Sequence, residues 1–371
     1  MGHPTLTKRL ALSVAVGCHP SMITHTPIYM NACSHGLPDA SCAEAVGREA
    51  LRPAGRPDEE AAVRDRARRT CAALLGTDPA RVGLGVGTFQ LWGAAMERVS
   101  VRPGRILVAG HEWGDHVRWL QRRMVRNATT IEVVPAEGGE AFDPAAWAAR
   151  MGEDVLALCL PLVTSVEGLR YPAKEIAALA RPEGALVVID AAQALGRVPI
   201  DPEDLGCDIL VSTARKWLRG PRQTAVFWLS ERAERTLECE VRSIEPVDIN
   251  GALLAGLSQA VDLTQTRGIP AISEDVATLE QQLRVGLEEA PAVAVRRAET
   301  AGTISCAVHP DKKPALDAKL RENGIVAKWC NAARDEPLSG AEPGAASLRI
   351  SPHVYNTDED IAAVLGAVRA A

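Results

Sequence analysis

The sequence predicts an α/β protein with a large, mostly parallel β-sheet, followed by a smaller α+β domain. Three observations lead to this fold class. Between residues 82 and 229, short apolar runs alternate with amphipathic helical runs. The apolar runs are continuous, which is typical of parallel strands covered on both faces. From about residue 240, a long helical run followed by shorter mixed runs indicates the second domain.

The elements follow from these runs in chain order. A helical region at 41–75, broken near 53–57, comes first. The strand–helix pairs are 82–86 with 88–99, 105–110 with 113–126, 129–135 with 143–151, 155–163 with 172–181, and 185–190 with 191–195. Strands at 208–213 and 224–229 and a helix at 230–239 complete the large domain.

The smaller domain is predicted to contain helices at 272–290, 314–324 and 357–371, with strands at 303–308, 325–329 and 347–352. We therefore divide the chain into an N-terminal arm or helix at 1–30, a large α/β domain at 31–240 and a small α+β domain at 241–371.

Composition excludes several function classes. The formal net charge of −6 over 371 residues argues against nucleic acid as the main partner, because phosphate binding requires a basic surface. No apolar run approaches the roughly 20 residues that span a bilayer. The nine cysteines form no C-x-x-C pair and show no zinc-ligand spacing, so we expect no metal site and a cytoplasmic protein with reduced thiols.

Two charged side chains follow neighbouring strands of the predicted sheet. Asp190 ends the run "VVID", and Lys216 follows the run "DILVST". Ligands of such folds bind at the carboxyl ends of the strands. The pair is open to two interpretations: it forms a structural ion pair, or its two groups bind opposite ends of a cofactor. Pyridoxal phosphate (PLP) requires a lysine and an acid, and this setting favours the cofactor interpretation.

The motifs around this pair resemble a known family. "VVIDAAQALG" and "DILVSTARKWLRGP" are similar to the core motif of the class V aminotransferases, and "SLRISPHVYNTDEDI" is similar to the closing motif of that family. The matches extend over residues 29–365. The resemblance implies a PLP enzyme of fold type I, with a seven-stranded-type sheet in the large domain. It also implies a homodimer with shared active sites.

The resemblance assigns roles around the lysine. Lys216 corresponds to the Schiff-base lysine and general acid/base, and Asp190 to the partner of the pyridine nitrogen. Gln193 falls where the family contacts the phenolic oxygen. Thr213 and Arg215 stand where the family has phosphate-binding Ser and His, and an arginine suits phosphate.

Other cofactor contacts are implied by the same alignment of motifs. Gly87 and Thr88 precede a helix whose N–H groups are expected to hold the phosphate, although a plain strand-to-helix turn has the same pattern. Trp113 corresponds to the side chain that stacks on the cofactor ring, with a core tryptophan as the alternative. His111 and His116 are open between a site role and a polar loop position.

The remaining assignments concern the substrate and the second subunit. Arg349 resembles the arginine that binds the substrate carboxylate, and Asn31 falls where the N-terminal segment approaches the substrate. Ser165 replaces an asparagine that the family places near the cofactor oxygen. Thr266 matches a threonine donated to the partner's phosphate, although Gln265 replaces the preceding glycine.

"RKWLRGPRQTAVFWL" is most similar to the subgroup of isopenicillin N epimerase-like proteins, which includes the C–S lyase of ergothioneine biosynthesis and sulfur-processing enzymes of lincosamide antibiotics. The resemblance favours β-elimination of a thiol from an S-substituted cysteine, in sulfur or secondary metabolism. Decarboxylation with oxidative deamination is the main alternative. Desulfuration through Cys33 or Cys330, transamination, epimerisation and a non-catalytic scaffold stay open.

Overall fold

The computed structural model describes residues 27–52, 57–124, 128–295, 300–342 and 346–371. Most of the predicted N-terminal arm, residues 1–26, lies outside the described residues. In the part of the chain that is described, no helix is both long and apolar enough to cross a membrane.

The secondary structure alternates as the apolar runs predict. The strands are β1 (Ile28–Tyr29), β2 (Val82–Gly85), β3 (Gly104–Ala109), β4 (Thr129–Val134), β5 (Val155–Pro161), β6 (Leu186–Asp190), β7 (Ile209–Thr213), β8 (Ala225–Leu229), β9 (Ala294–Val295), β10 (Ile304–Ala307), β11 (Ile325–Val326), β12 (Lys328–Asn331) and β13 (Ala346–Ile350). The helices are α1 (Ala40–Ala50), α2 (Pro57–Leu75), α3 (Thr88–Val99), α4 (Gly114–Met124), α5 (Pro144–Ala148), α6 (Ala173–Ala180), α7 (Glu231–Leu237), α8 (Gly251–Arg267), α9 (Ile269–Glu288), α10 (Lys313–Glu322), α11 (Ala332–Asp335) and α12 (Asp358–Arg369).

The large sheet contains seven strands in the order β2-β8-β7-β6-β5-β3-β4. Neighbours from β7 to β4 pair in parallel. Only β8 runs against its neighbours β2 and β7 in this sheet. The predicted α/β fold with a mostly parallel seven-stranded sheet is confirmed.

Continuous apolar strands form because both faces of this sheet are covered. In β6, Val187 and Ile189 join the apolar cluster on one face, whereas Leu186 and Val188 join the cluster on the other. Helices α2, α6 and α8 supply residues to the first cluster, and α3 and α4 to the second. Side chains on both faces of the strand are therefore buried, as expected of a parallel sheet that is covered on both sides.

The C-terminal part contains an antiparallel sheet of order β12-β13-β10-β9. Helices α9, α10 and α12 pack their apolar side chains against it. The strand predicted at 325–329 divides into β11 and β12, and β11 pairs in parallel with β1 near the start of the described chain. The domain boundaries near residues 30 and 240 stay a prediction.

One predicted helix is wrong. Residues 191–195 form hydrogen-bonded turns, in which the amides of Ala194 and Leu195 donate to the Ala191 carbonyl. The helix cannot continue because Gly196 has φ = 87°, in the left-handed region. A Cβ on this glycine would lie 2.7 Å from the backbone nitrogen of Leu218, so the turn is pressed against the chain that follows Lys216.

Candidate active site

Strands β6 and β7 bring the two predicted central residues to one edge of the large sheet. The strands are parallel neighbours, with Asp190 paired to Val211. Asp190 ends β6, and Lys216 lies three residues beyond the end of β7 at Thr213. The Asp190 carboxylate is buried, and its Oδ1 accepts a hydrogen bond of 2.7 Å from the Ala192 amide. The sheet therefore places acid and amine at the carboxyl edge, where such folds bind ligands.

The turn that carries Lys216 is held by hydrogen bonds from two other segments of the chain. The amide of Gly36 donates to the Arg215 carbonyl at 2.8 Å. The ring of His353 bonds at both nitrogens, with Nδ1 accepting from the Val354 amide at 2.8 Å. Its Nε2 therefore carries the proton and donates to the Trp217 carbonyl at 2.9 Å. Burial lowers the pKa of His353 to about 3, which keeps this ring neutral.

Burial also sets the chemistry of Lys216. It lowers the pKa of this amine to about 8, and the nearby guanidinium groups of Arg215 and Arg349 act in the same direction. The Asp190 carboxylate opposes the shift but does not cancel it. A substantial fraction of the amine is therefore neutral near physiological pH, and a neutral amine is what a nucleophile or base requires.

A buried histidine lies behind Asp190. His116 Nδ1 is 2.9 Å from Glu112 Oε1 and 3.8 Å from Asp190 Oδ2. Its ring stacks on Trp92, with centroids 4.3 Å apart and planes at 4°. The three donor atoms lie within 4.8 Å of one another, a spacing that a metal ion can occupy. His116 is thus not a polar loop residue, and the i, i+4 spacing of Glu112 and His116 is the sequence signal for this pair.

His111 is likewise buried rather than on a polar surface. Its Nδ1 lies 2.8 Å from the Tyr171 hydroxyl. Trp113 is half-buried directly before α4 and meets the His116 ring edge-on, with centroids 5.2 Å apart. Stacking of Trp113 on a cofactor ring stays a prediction.

Gln193 is fixed by contacts at both ends of its amide. Its Nε2 donates to the Cys33 carbonyl at 3.0 Å, and its Oε1 accepts from Trp217 Nε1 at 3.1 Å. These partners assign the amide orientation and leave one N–H of Nε2 for a further acceptor. The predicted contact with a phenolic oxygen uses that remaining N–H and stays a prediction.

The predicted phosphate-binding residues occupy three places. Gly87 has an extended φ of 179° and precedes α3, in which Thr88 is the first residue. Thr213 Oγ1 donates to the Thr224 carbonyl at 3.4 Å. Arg215 donates from Nη1 to the Ser34 carbonyl, so its guanidinium group lies against the N-terminal segment.

Arg349 lies in β13, and its guanidinium group reaches two segments of the large-sheet side. Its Nη1 donates to the Ser165 carbonyl, and its Nη2 donates to Ser34 Oγ at 2.7 Å. Its Nε is buried and has no hydrogen-bond partner among the described residues. Asn31 pairs with Ser351 in an isolated parallel bridge next to this site. This site therefore brings together residues that are distant in the sequence, at positions 31, 34, 165 and 349.

Glu336 is a site residue that the sequence did not indicate. It is 2% exposed, and its Oε1 accepts from the amides of Ser165 at 2.7 Å and Val166 at 2.8 Å. Burial raises the pKa of this carboxyl to about 7, against the effect of the two N–H groups. No motif surrounds Glu336, and its partners lie about 170 residues earlier.

The two thiols considered for chemistry are both buried. Cys33 is 0% and Cys330 is 4% exposed. Burial raises the pKa of the Cys330 thiol to about 11, although Arg349 partly opposes the shift. Cys330 lies within β12, not on a loop.

Thr266 lies near the end of α8, and its Oγ1 donates to the Asp262 carbonyl at 2.8 Å. Its side chain is exposed in the single chain. Contact with a second subunit stays a prediction.

Comparison with known proteins identifies the family. A family model described as aminotransferase class V matches residues 94–364. The chain belongs to the class V aminotransferase family. Among its relatives, isopenicillin N epimerase from Streptomyces clavuligerus is 25% identical over 334 residues, which cover 80% of this chain and 81% of that protein. A probable hercynylcysteine sulfoxide lyase from Mycobacterium tuberculosis is 28% identical over 337 residues, which cover 84% and 80%.

A solved structure has the same fold. Cysteine desulfurase CsdA from Escherichia coli gives a TM-score of 0.81 at 18% identity, covering 92% of this chain and 94% of that one. The resemblance to the class V aminotransferases is confirmed, and the epimerase and sulfoxide lyase agree with the predicted subgroup.

The protein is thus a PLP-dependent enzyme of the class V aminotransferase family. The side chains at the sheet edge fit this cofactor. Lys216 offers an amine of lowered pKa, and Asp190 offers a buried carboxylate at the end of the adjacent strand. The hydrogen bonds found for the guanidinium groups of Arg215 and Arg349 among the described residues go to uncharged oxygens of Ser34 and Ser165, so both cations can take anionic ligands.

Proposed function

We propose that the enzyme is a C–S lyase that cleaves an S-substituted cysteine by β-elimination, in sulfur or secondary metabolism. The observation that carries the proposal is the state of the Cys330 thiol beside a competent base. Lys216 has a pKa of about 8, whereas Cys330 has a thiol pKa of about 11 and is held in a strand. The site therefore favours removal of a proton by Lys216 over attack on sulfur by a Cys330 thiolate, which desulfuration through this residue requires.

The central residues have the following proposed roles. When bound, PLP supplies an aldehyde that bonds the substrate amino group and a ring that accepts electrons from the α-carbon. Lys216 holds the cofactor at rest, and its Nζ then acts as the base. Asp190 keeps a proton on the ring nitrogen, Gln193 donates to the phenolic oxygen, and Trp113 packs on the ring.

The phosphate is proposed to bind at the edge formed by Gly87, Thr88, Thr213 and Arg215. The N–H groups at the start of α3 and the guanidinium group supply donors and positive charge. Thr266 of a second copy completes this set in a homodimer. Ser165 contributes a further polar contact near the cofactor. We also propose a cytoplasmic location, because the thiols are uncrosslinked among the described residues.

Arg349 is proposed to bind the substrate carboxylate, with Asn31 next to it. The buried guanidinium group has an unpartnered Nε for this purpose. An arginine held this way stabilises the carboxylate as an anion. It therefore disfavours loss of that group as carbon dioxide, which supports elimination over the decarboxylating alternative.

The proposed step is balanced without an added oxidant or reductant. Nζ of Lys216 accepts the proton from the α-carbon. The electrons of that C–H bond form the double bond between the α- and β-carbons. The bond between the β-carbon and sulfur breaks, and the thiolate leaves with its electron pair and takes up the proton from Nζ. Water then hydrolyses the released aminoacrylate to pyruvate and ammonia.

The test is to incubate the holoenzyme with a series of S-alkyl and S-aryl cysteines and to measure free thiol and pyruvate. Equal amounts of the two products, absent with Lys216→Ala, are expected. Alanine in place of pyruvate would show desulfuration, and carbon dioxide without thiol would show the decarboxylating alternative. Failure of every conjugate to yield thiol and pyruvate would refute the lyase proposal.

A further inference from the structure

A buried carboxylate beside the proposed substrate site has no part in the reaction described above. Glu336 follows α11 and is 2% exposed. A carboxylate in such a position is costly unless its oxygens are hydrogen-bonded. Its Oε1 accepts two backbone N–H groups, from Ser165 and Val166, both from the loop that follows β5.

One peptide unit joins Glu336 to Arg349. The N–H of Val166 and the carbonyl of Ser165 belong to the same planar group, and they point in opposite directions because the bond is trans. The N–H side donates to Glu336 Oε1 at 2.8 Å. The carbonyl side accepts from Arg349 Nη1. A hydrogen bond at the N–H also polarises the carbonyl and strengthens its bond to the guanidinium group.

The orientation of Arg349 therefore depends on this peptide. The guanidinium group has a second fixed contact, from Nη2 to Ser34 Oγ at 2.7 Å. These two contacts determine the plane of the group and the direction of the unpartnered Nε. Because a planar guanidinium group recognises a carboxylate by orientation, rotation about either contact changes its fit to the ligand.

The segment that carries Glu336 is itself held in place. The Arg334 carbonyl accepts from Arg118 Nη1 at 3.3 Å in α4. It also lies so close to Gly114 that a Cβ there would be 2.3 Å from this oxygen. The Glu336 amide donates to the Ala332 carbonyl at 2.8 Å. The backbone that carries the Glu336 carboxylate is thus held in place.

We propose that Glu336 is a positioning residue for Arg349, acting through the peptide between Ser165 and Val166, and that it determines selection for ligands with an α-carboxylate. The inference rests on the proposed role of Arg349 as the carboxylate-binding residue.

The experiment compares two ligands of the holoenzyme that differ only in the carboxylate, S-methylcysteine and S-methylcysteamine. Their dissociation constants are measured by rapid mixing, from how the first change in cofactor absorbance depends on ligand concentration before S-methylcysteine is turned over. Glu336→Ala is expected to weaken S-methylcysteine about tenfold and to leave S-methylcysteamine unchanged. Glu336→Gln keeps the accepting oxygen and is expected to bind both ligands as the wild type does.

The matched control is Asp208→Asn. Asp208 is also a buried carboxylate that accepts a backbone amide, from Val187 at 2.9 Å, but it lies at the opposite edge of the sheet, where β6 and β7 begin. It is expected to lower stability without changing the ratio of the two constants. If Glu336→Ala does not fold, Glu336→Asp is measured, since the shorter side chain withdraws the oxygen and is expected to weaken S-methylcysteine alone.

Equal weakening of both ligands, no weakening of either, or a Glu336→Gln effect as large as that of Glu336→Ala would overturn the inference. Arg349→Lys separates its failure from failure of the proposed function. If Arg349→Lys weakens S-methylcysteine selectively but Glu336→Ala does not, only the positioning role is lost. If Arg349→Lys is also without selective effect, the proposed carboxylate contact is wrong.

Discussion

At the scale of single residues, the same burial acts in opposite directions on the amine and the carboxyl of the site. Loss of water disfavours the charged form of each group. It lowers the pKa of Lys216 to about 8 and raises the pKa of Glu336 to about 7. Each of the two groups therefore changes its charge state close to physiological pH, and each change can be measured.

The pKa of Lys216 predicts how the apoenzyme captures its cofactor. Only the neutral amine attacks an aldehyde, and its fraction rises as pH increases through about 8. The rate constant for gain of cofactor absorbance after PLP is added is expected to rise to that pH and then to level off. A rate constant that keeps rising toward 10.5, the ordinary lysine value, would contradict the lowered pKa. Lys216→Arg serves as the control that captures no cofactor.

The raised pKa of Glu336 predicts a pH-dependent stability. Between 4.5 and about 7, the unfolded chain loses the proton while the folded chain keeps it, so the free energy of unfolding falls as pH rises. Glu336→Gln has no such proton. Relative to the wild type, this variant is expected to gain stability from about pH 5 to about pH 8 in urea denaturation. An equal difference at both pH values would exclude the raised pKa.

At the scale of elements, the turn after β7 depends on neighbours that are not part of that strand. Gly36 and Gly196 let the backbone approach the turn closely, and His353 holds its Trp217 carbonyl. The apolar strand before the turn places the backbone of Lys216 at the carboxyl edge of the sheet. The packed segments hold the backbone of this turn, because they leave it no room to move.

Gly36→Ala tests this packing. A Cβ at Gly36 would lie 2.2 Å from the Lys216 carbonyl oxygen, so the turn has to shift. We expect a loss in kcat/KM on the order of a hundredfold, since a displacement of about 1 Å in a catalytic group has that effect.

Gly47→Ala is the matched control for this variant. Gly47 lies within α1, and a Cβ there would meet no atom within 4 Å. This variant is expected to keep full activity and to be more stable by about 0.5–1 kcal/mol. Wild-type kcat/KM for Gly36→Ala would show that the turn tolerates displacement.

At the scale of the whole molecule, the proposed homodimer predicts complementation between two inactive variants. Lys216→Ala lacks the base, and Thr266→Asp places a negative charge toward the phosphate of the second subunit. In a mixed dimer, the site with an intact Lys216 receives its threonine from the other chain. Refolding the two variants together is therefore expected to restore part of the lyase activity.

A mixture that stays inactive, although native mass spectrometry shows mixed dimers, would place Thr266 in the active site of its own chain. Full activity of Thr266→Asp alone would place Thr266 outside any site. Thr266→Asp is suited to this test because Thr266 is exposed on α8, so the substitution disturbs no buried contact within the chain.

Local signals were sufficient for the sheet and for its central pair. Continuous apolar runs predicted strands that are buried on both faces, and the residues after two of them, Asp190 and Lys216, came to the same edge. The helix predicted at 191–195 is wrong. The apolar composition of this segment contains no signal that Gly196 ends it next to the turn that carries Lys216.

Patterns within short segments of the sequence are sufficient to predict the fold class, the family and the positions of the acid and the amine. The packing of the whole chain, in contrast, brings Ser34, Ser165, Glu336 and Arg349 together and orients their polar groups. These contacts join segments more than 100 residues apart. Their geometry depends on how sheets and loops pack, and a hydrogen bond between such segments leaves no periodic signal in the chain.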